Sequence, residues 1–220
     1  MLNPICVFDF ETDESNEKVA NPVEVACKII DPFTLNPIAG SEFLSDIKPY
    51  GIDEPGYFTK ERESTIDFHC KNKKCTKEEL LNKWRSAPTE QIVWSLFVKH
   101  VNKYNKSNNQ WGAPIPAGAN IRNFDLPIVE RLNERYKVVK LFNYEVIDTR
   151  ELMFYWLIWD NSLTKRTMDS LRKYFGIGSE NAHAAMKDVD DSTMIICRFL
   201  KFHKAHFEKA NFKGAFKDNE

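Results

Sequence analysis

The chain has 220 residues, of which 42% are hydrophobic and 29% charged, and a formal net charge of −1. That balance is ordinary for a soluble globular protein and supplies enough apolar mass for one packed domain over residues 1–220. No apolar run approaches a bilayer span and no secretory leader pattern is visible, so no membrane association is expected. The five cysteines, Cys6, Cys27, Cys70, Cys75 and Cys197, are odd in number and form no C-x-x-C pair. A reducing, cytoplasmic setting follows as the expectation.

In chain order, residues 4–10 read as a buried strand because valine, isoleucine and phenylalanine dominate without alternation. Residues 12–22 are an acidic loop, and 23–30 are a second strand stopped by Asp31-Pro32. A turn at Asn36-Pro37 leads to a third strand over 38–47. Residues 48–76 are rich in proline, glycine and charge without a sustained period, and read as a long irregular insertion. Thr76-Lys77-Glu78-Glu79 resembles a capping box short of its full spacing and opens a helix to residue 84. Ile92, Val93, Leu96, Phe97 and Val101 recur at helical spacing and predict an amphipathic helix over 89–104.

A short strand is expected over 114–121, a helix over 125–136 and a further strand within 138–147. Asp148-Thr149 caps a helix reaching residue 159, and a shorter helix from Thr167 ends at Gly176, a C-cap residue. The last helix covers 184–206, followed by a basic segment (198–220) that includes Arg198, Lys201, Lys204, Lys209, Lys213 and Lys217. Strands first, then helices, one more strand and helices again predict an α/β domain with a mixed central sheet flanked by helices.

Chemistry concentrates in a few short stretches. In Val7-Phe8-Asp9-Phe10-Glu11-Thr12, alternate side chains of a strand leave the same face, so Asp9 and Glu11 enter one small volume. Two carboxylates that close repel unless a cation or a shared proton intervenes. Asn120-Ile121-Arg122-Asn123-Phe124-Asp125 marks a strand handing over to a helix, where Asp125 can reach the same pocket. In His183-Ala184-Ala185-Met186-Lys187-Asp188, the five-residue separation does not share a helix face. His183 is therefore expected on the preceding loop and Asp188 on the first turns of the helix. Asp9, Glu11, Asp125 and Asp188 are hard oxygen donors suited to Mg²⁺ or Mn²⁺. Four acids around two cations suit in-line phosphodiester displacement, and a histidine titrating near neutrality can take the proton from the attacking water.

These stretches resemble the DEDDh 3′-to-5′ exonucleases. Asp9-Phe10-Glu11-Thr12 matches the family's D-x-E-T, Asn120 through Phe124-Asp125 matches its second motif loosely, and His183-Ala184-Ala185-Met186-Lys187-Asp188 matches H-x-A-x-x-D. Asn181-Ala182-His183 and Ala185-Met186 are most similar to exonuclease I, and Ser170-Leu171 with Tyr174-Phe175-Gly176-Ile177 resembles the helix before the third motif. The resemblance implies a ribonuclease-H-like exonuclease fold, two divalent cations (Mg²⁺ or Mn²⁺), and release of nucleoside 5′-monophosphates from a 3′ end. It implies Asp9, Glu11, Asp125 and Asp188 as metal ligands and His183 as general base. Phe10, Thr12, Asn120 and Phe124, with Glu11, are implied at the terminal nucleotide. Asp13-Glu14 departs from the family, where a glycine and a hydrophobic wedge are common.

The first expected partner is single-stranded DNA with a free 3′ end. Short RNA or an RNA 3′ end is the alternative, since no residue declares a contact to a 2′-hydroxyl. A non-catalytic nucleic-acid-binding module is the minor reading, and it predicts a missing motif acid. Other polar groups read as structural or solvated. Cys70 and Cys75 beside His69 lack zinc spacing, Asp169, Asp190 and Asp191 read as solvated, and Asp148 reads as a cap. Lys165, Arg166, Arg172 and Lys173 read as a solvated charge run. The 48–76 insertion and Trp111 are placed near the substrate entrance on length alone.

Overall fold

A computed structural model describes residues 2–157, 165, 167–178 and 184–209. Strands β1 (Ile5–Thr12), β2 (Pro22–Asp31), β3 (Asn36–Pro37) and β4 (Phe43–Asp46) open the chain. Helices α1 (Lys60–Lys73), α2 (Lys77–Ser86) and α3 (Glu90–Asn102) follow. Then come β5 (Ile115–Gly118), α4 (Asp125–Tyr136), β6 (Ile147–Asp148), α5 (Thr149–Leu157), α6 (Met168–Phe175) and α7 (Ala185–Lys209). The sheet runs β3-β2-β1-β5-β6, with β4 also paired to β2. β2 is antiparallel to β1, while β5 and β6 run parallel to it and to each other, so the expected mixed sheet flanked by helices is present.

Period-two alternation along β1 sorts the core. Cys6, Phe8 and Phe10 face Val93, Trp94 and Phe97 of α3 and Ile128, Val129 and Leu132 of α4. Ile5 and Val7 face the other side, against Ala185, Val189 and Ile196 of α7. By the same alternation Asp9 and Glu11 belong to the α7 side of the sheet. Register also matters at Gly118, where a Cβ would stand 2.8 Å from the Phe8 carbonyl oxygen. A side chain there would push β5 away from β1 just before the chain turns toward α4.

Several boundaries differ from those expected. The stretch read as irregular over 48–76 carries α1, whose only buried residues are Ile66 and His69. Two buried positions on an otherwise polar helix give no readable period. Thr76 and Glu79 form a complete capping box, each bonding the other's backbone amide. The strand expected over 38–47 is interrupted around Gly40, which adopts φ +73°. Within 138–147 only Ile147 is strand, and β6 ends at Asp148. The helix expected to residue 159 is described to Leu157, and 158–159 lie outside the described residues, as do Arg166 and the 210–220 part of the basic segment. Among the described residues no helix is long and apolar enough to cross a membrane.

Candidate active site

The C-terminal half of β1 outruns β5, whose pairing with β1 stops at Val7 and Ala117. The edge of β1 beyond that point needs another acceptor, and Asp125 supplies it: its Oδ1 accepts the Phe10 amide at 3.0 Å. Asp125 is the first residue of α4, so the strand-to-helix handover delivers a buried carboxylate to the open edge of β1. From the α7 face, Asp188 enters on the first turn of its helix. Carboxylate oxygens of Asp9, Glu11 and Asp188 lie within 4.8 Å of one another. Three of the four expected acids thus converge directly, while Asp125 stands behind them with one oxygen committed to the β1 backbone.

Electrostatics record the crowding. Burial raises the Asp9 carboxyl well above the ordinary carboxylate range, and the charges of Asp125, Glu11 and Asp188 raise it further. Glu11 is pushed to about 8, first by burial and then by Asp188, with Lys73 opposing. Asp125 is also pushed to about 8 by burial, although the Phe10 amide partly offsets this. Convergent, partly desolvated carboxylates of this kind fit a hard divalent cation, which relieves their repulsion and replaces the water they have lost.

Glu24 and His69 complete the surroundings. Glu24 lies opposite Glu11 across β1 and β2; its Oε1 accepts the Ala185 amide at 3.0 Å and its Oε2 pairs with Lys73 at 3.2 Å. It therefore ties the start of α7 and the end of α1 to the same strand pair. His69, weighed only as part of a poor zinc pattern, is buried against the Trp84 ring. Its Nε2 stands 2.8 Å from the Thr12 carbonyl oxygen, and since a carbonyl can only accept, Nε2 carries the proton. Its Nδ1 is 3.9 Å from a Glu11 oxygen. Cys70 and Cys75 pack instead on the Ile66, Leu80 and Trp84 cluster.

Asp13 has a structural explanation. It is completely buried and accepts from the Asn21 amide (2.7 Å), the Asn21 side chain (2.9 Å) and the Tyr57 hydroxyl (2.6 Å). Arg62 of α1 adds an ion pair at 3.2 Å and also reaches Glu14 at 3.7 Å. The two acids that depart from the family pattern thus lash the loop after β1 to α1. Beside them is a cavity of about 450 Å³ lined by Phe10, Glu11, Phe68, His69 and Phe124, with Ser64 and Thr65 also facing it. The placement of the 48–76 segment beside the site holds for α1. Trp111 precedes β5 and so lies toward the other end of the parallel strands, where its carbonyl accepts from Asn3.

The remaining expected residues divide. Phe10 and Phe124 line the cavity, and Thr12, also at its edge, donates its hydroxyl to the Glu14 carbonyl at 2.7 Å. Asn120, at φ +61°, starts the turn into α4, and its side-chain oxygen accepts from Arg150 at 2.7 Å. Asp148 does cap α5, accepting the Arg150 amide at 2.9 Å. His183 lies outside the described residues. Two expectations about charge are overturned. Asp191, read as solvated, is buried and ion-paired with Arg172, and Arg172 itself is 1% exposed. Asp190 pairs with Lys28 at 2.6 Å.

No protein-family profile matches the chain, and no curated protein matches it by sequence. Solved structures do match, and the fold of this chain is the one seen in exonuclease I and cell-death related nuclease 4. Escherichia coli exonuclease I bound to a dT13 oligonucleotide superposes with a TM-score of 0.68 at 16% identity, over 94% of this chain and 43% of that one. Exonuclease I in the structure that suggested how its processivity is achieved gives 0.67 at 16%, over 93% and 44%. Cell-death related nuclease 4 gives 0.66 at 14%, over 91% and 64%. The chain therefore spans less than half the length of exonuclease I.

Proposed function

We propose that the chain is a metal-dependent 3′-to-5′ exonuclease, a single exonuclease domain that shortens nucleic acid from a free 3′ end, with single-stranded DNA as its first substrate. The convergence of Asp9, Glu11 and Asp188 within 4.8 Å carries this reading, since two motifs far apart in sequence meet at one point. The shared fold supports it, as does the binding of dT13 by exonuclease I.

In this reading Asp9, Glu11, Asp125 and Asp188 hold two divalent cations, Mg²⁺ or Mn²⁺. When bound, such cations supply a water of lowered pKa and neutralise charge at the leaving oxygen. The chain's own residues do the rest. Asp125 fixes the backbone of β1 through the Phe10 amide, so that Asp9 and Glu11 present their carboxylates at a set spacing. Phe10, Thr12 and Phe124 border the cavity that takes the terminal nucleotide, with α1 as its outer wall. His183 is the general base that removes the proton from the attacking water, and a nucleoside 5′-monophosphate leaves.

The test is digestion of 5′-labelled single-stranded DNA, duplex DNA and RNA with Mg²⁺, Mn²⁺ or chelator. Progressive shortening from the 3′ end that requires a divalent cation and yields mononucleotides is expected. Internal cuts, or equal digestion in chelator, would overturn the reading. The rates on matched DNA and RNA decide the substrate class.

A further inference from the structure

Arg172 is only 1% exposed, as deeply buried as its partner Asp191, and it belongs to α6 rather than to any strand of the site. A guanidinium keeps its charge at every accessible pH and is costly to desolvate unless each arm is paired. All three arms are paired with acids. Nε meets Asp191 Oδ2 at 2.6 Å, Nη1 meets Asp169 Oδ1 at 2.9 Å, and Nη2 pairs with Oδ1 of Asp188. Asp191 in turn accepts from Lys187 on its other oxygen. Asp188 and Asp191 are three residues apart and so share one side of α7, which lets a single planar fork span both.

We propose that Arg172 is a positioning residue for the Asp188 carboxylate, oriented by the buried Asp191, and that it sets how tightly the acidic site holds divalent cations. It rests on the reading of Asp188 as a ligand given above. The fork fixes the plane of the Asp188 carboxylate, and a carboxylate with about four lone-pair directions can accept from Arg172 and still face a cation. The fork thereby opposes rotation of the Asp188 carboxylate away from Asp9 and Glu11. Asp169 has an exposed side chain, so its arm adds little to this restraint.

The experiment is Mn²⁺ titration of the purified folded proteins by electron paramagnetic resonance, with thermal unfolding in chelator run alongside. Loss of such an outer partner weakens metal binding by roughly 10–100-fold. Arg172→Lys, which keeps charge but loses the fork, is expected to bind Mn²⁺ about tenfold or more weakly, at temperatures where it is fully folded. Asp191→Asn should weaken binding in the same direction, and Asp169→Ala should match the unaltered protein. Asp188→Asn separates the two claims. If it weakens Mn²⁺ binding while folded Arg172→Lys and Asp191→Asn do not, the positioning role is wrong and the site stands. If Asp188→Asn binds as the unaltered protein does, both fail. Should Arg172→Lys not fold, Asp191→Asn decides alone.

Discussion

Asp9 sits where burial and four neighbouring carboxylates, Asp125, Glu11, Asp188 and Glu24, all favour its neutral form. Function and folding therefore pull on it in opposite directions. Asp9→Asn is expected to lower cation-dependent digestion by roughly 10³-fold or more, several kcal/mol of transition-state stabilisation. The same change should raise the thermal midpoint measured in chelator, because a neutral amide spares the fold the cost of protonating or charging Asp9 among the other acids; a lower midpoint would contradict this. Glu11 and Asp125 extend the argument to pH. Both are pushed up to about 8, so the folded metal-free protein binds protons that the unfolded chain releases at ordinary carboxylate values. Their contribution to stability is fully present below pH about 4 and is lost as pH rises through about 8. Unfolding in chelator should accordingly show a midpoint that falls across that window. Divalent cation should flatten the fall and release protons on binding, read by calorimetry in buffers of different ionisation enthalpy.

At the scale of elements, α1 bears on the site most. It has almost no apolar face, yet His69, Arg62 and Lys73 fasten it to Thr12, Asp13 and Glu24. Its helical form was not legible in the sequence because polar tethers leave no hydrophobic period. Tyr57→Phe removes one donor from buried Asp13, a charge-assisted bond of about 1.5–3 kcal/mol. It should lower stability by that order while leaving the cation-binding acids in place, and unchanged denaturant unfolding would count against the network. The β1–β5 contact makes a second prediction. Gly118→Ala forces a Cβ against the Phe8 carbonyl oxygen and is expected to cost about 1–3 kcal/mol in denaturant unfolding.

For the whole molecule, the two faces of the sheet explain which parts of the site could be read in advance. Asp9 and Glu11 were legible because strand alternation is strict, and Asp188 because it stands early on a helix packed against that same face. Asp125 was legible from the strand-to-helix handover, although its grip on the Phe10 amide depends on how far β1 outruns β5, a matter of register that no local pattern encodes. Arg172 and Asp191 were misread as solvated because charged helical residues usually are; their three-dimensional pairing lies across α6 and α7. The three-residue spacing of Asp188 and Asp191 was the available signal. The account as a whole stands on acids from β1, α4 and α7 acting as one cation-dependent centre at a 3′ end. The most direct measurement compares the unaltered protein with Asp9→Asn on 5′-labelled single-stranded DNA in Mg²⁺, resolving product length over time. A ladder receding from the 3′ end for the unaltered protein, and an intact substrate for Asp9→Asn, is the predicted result. Equal ladders from both proteins would contradict it.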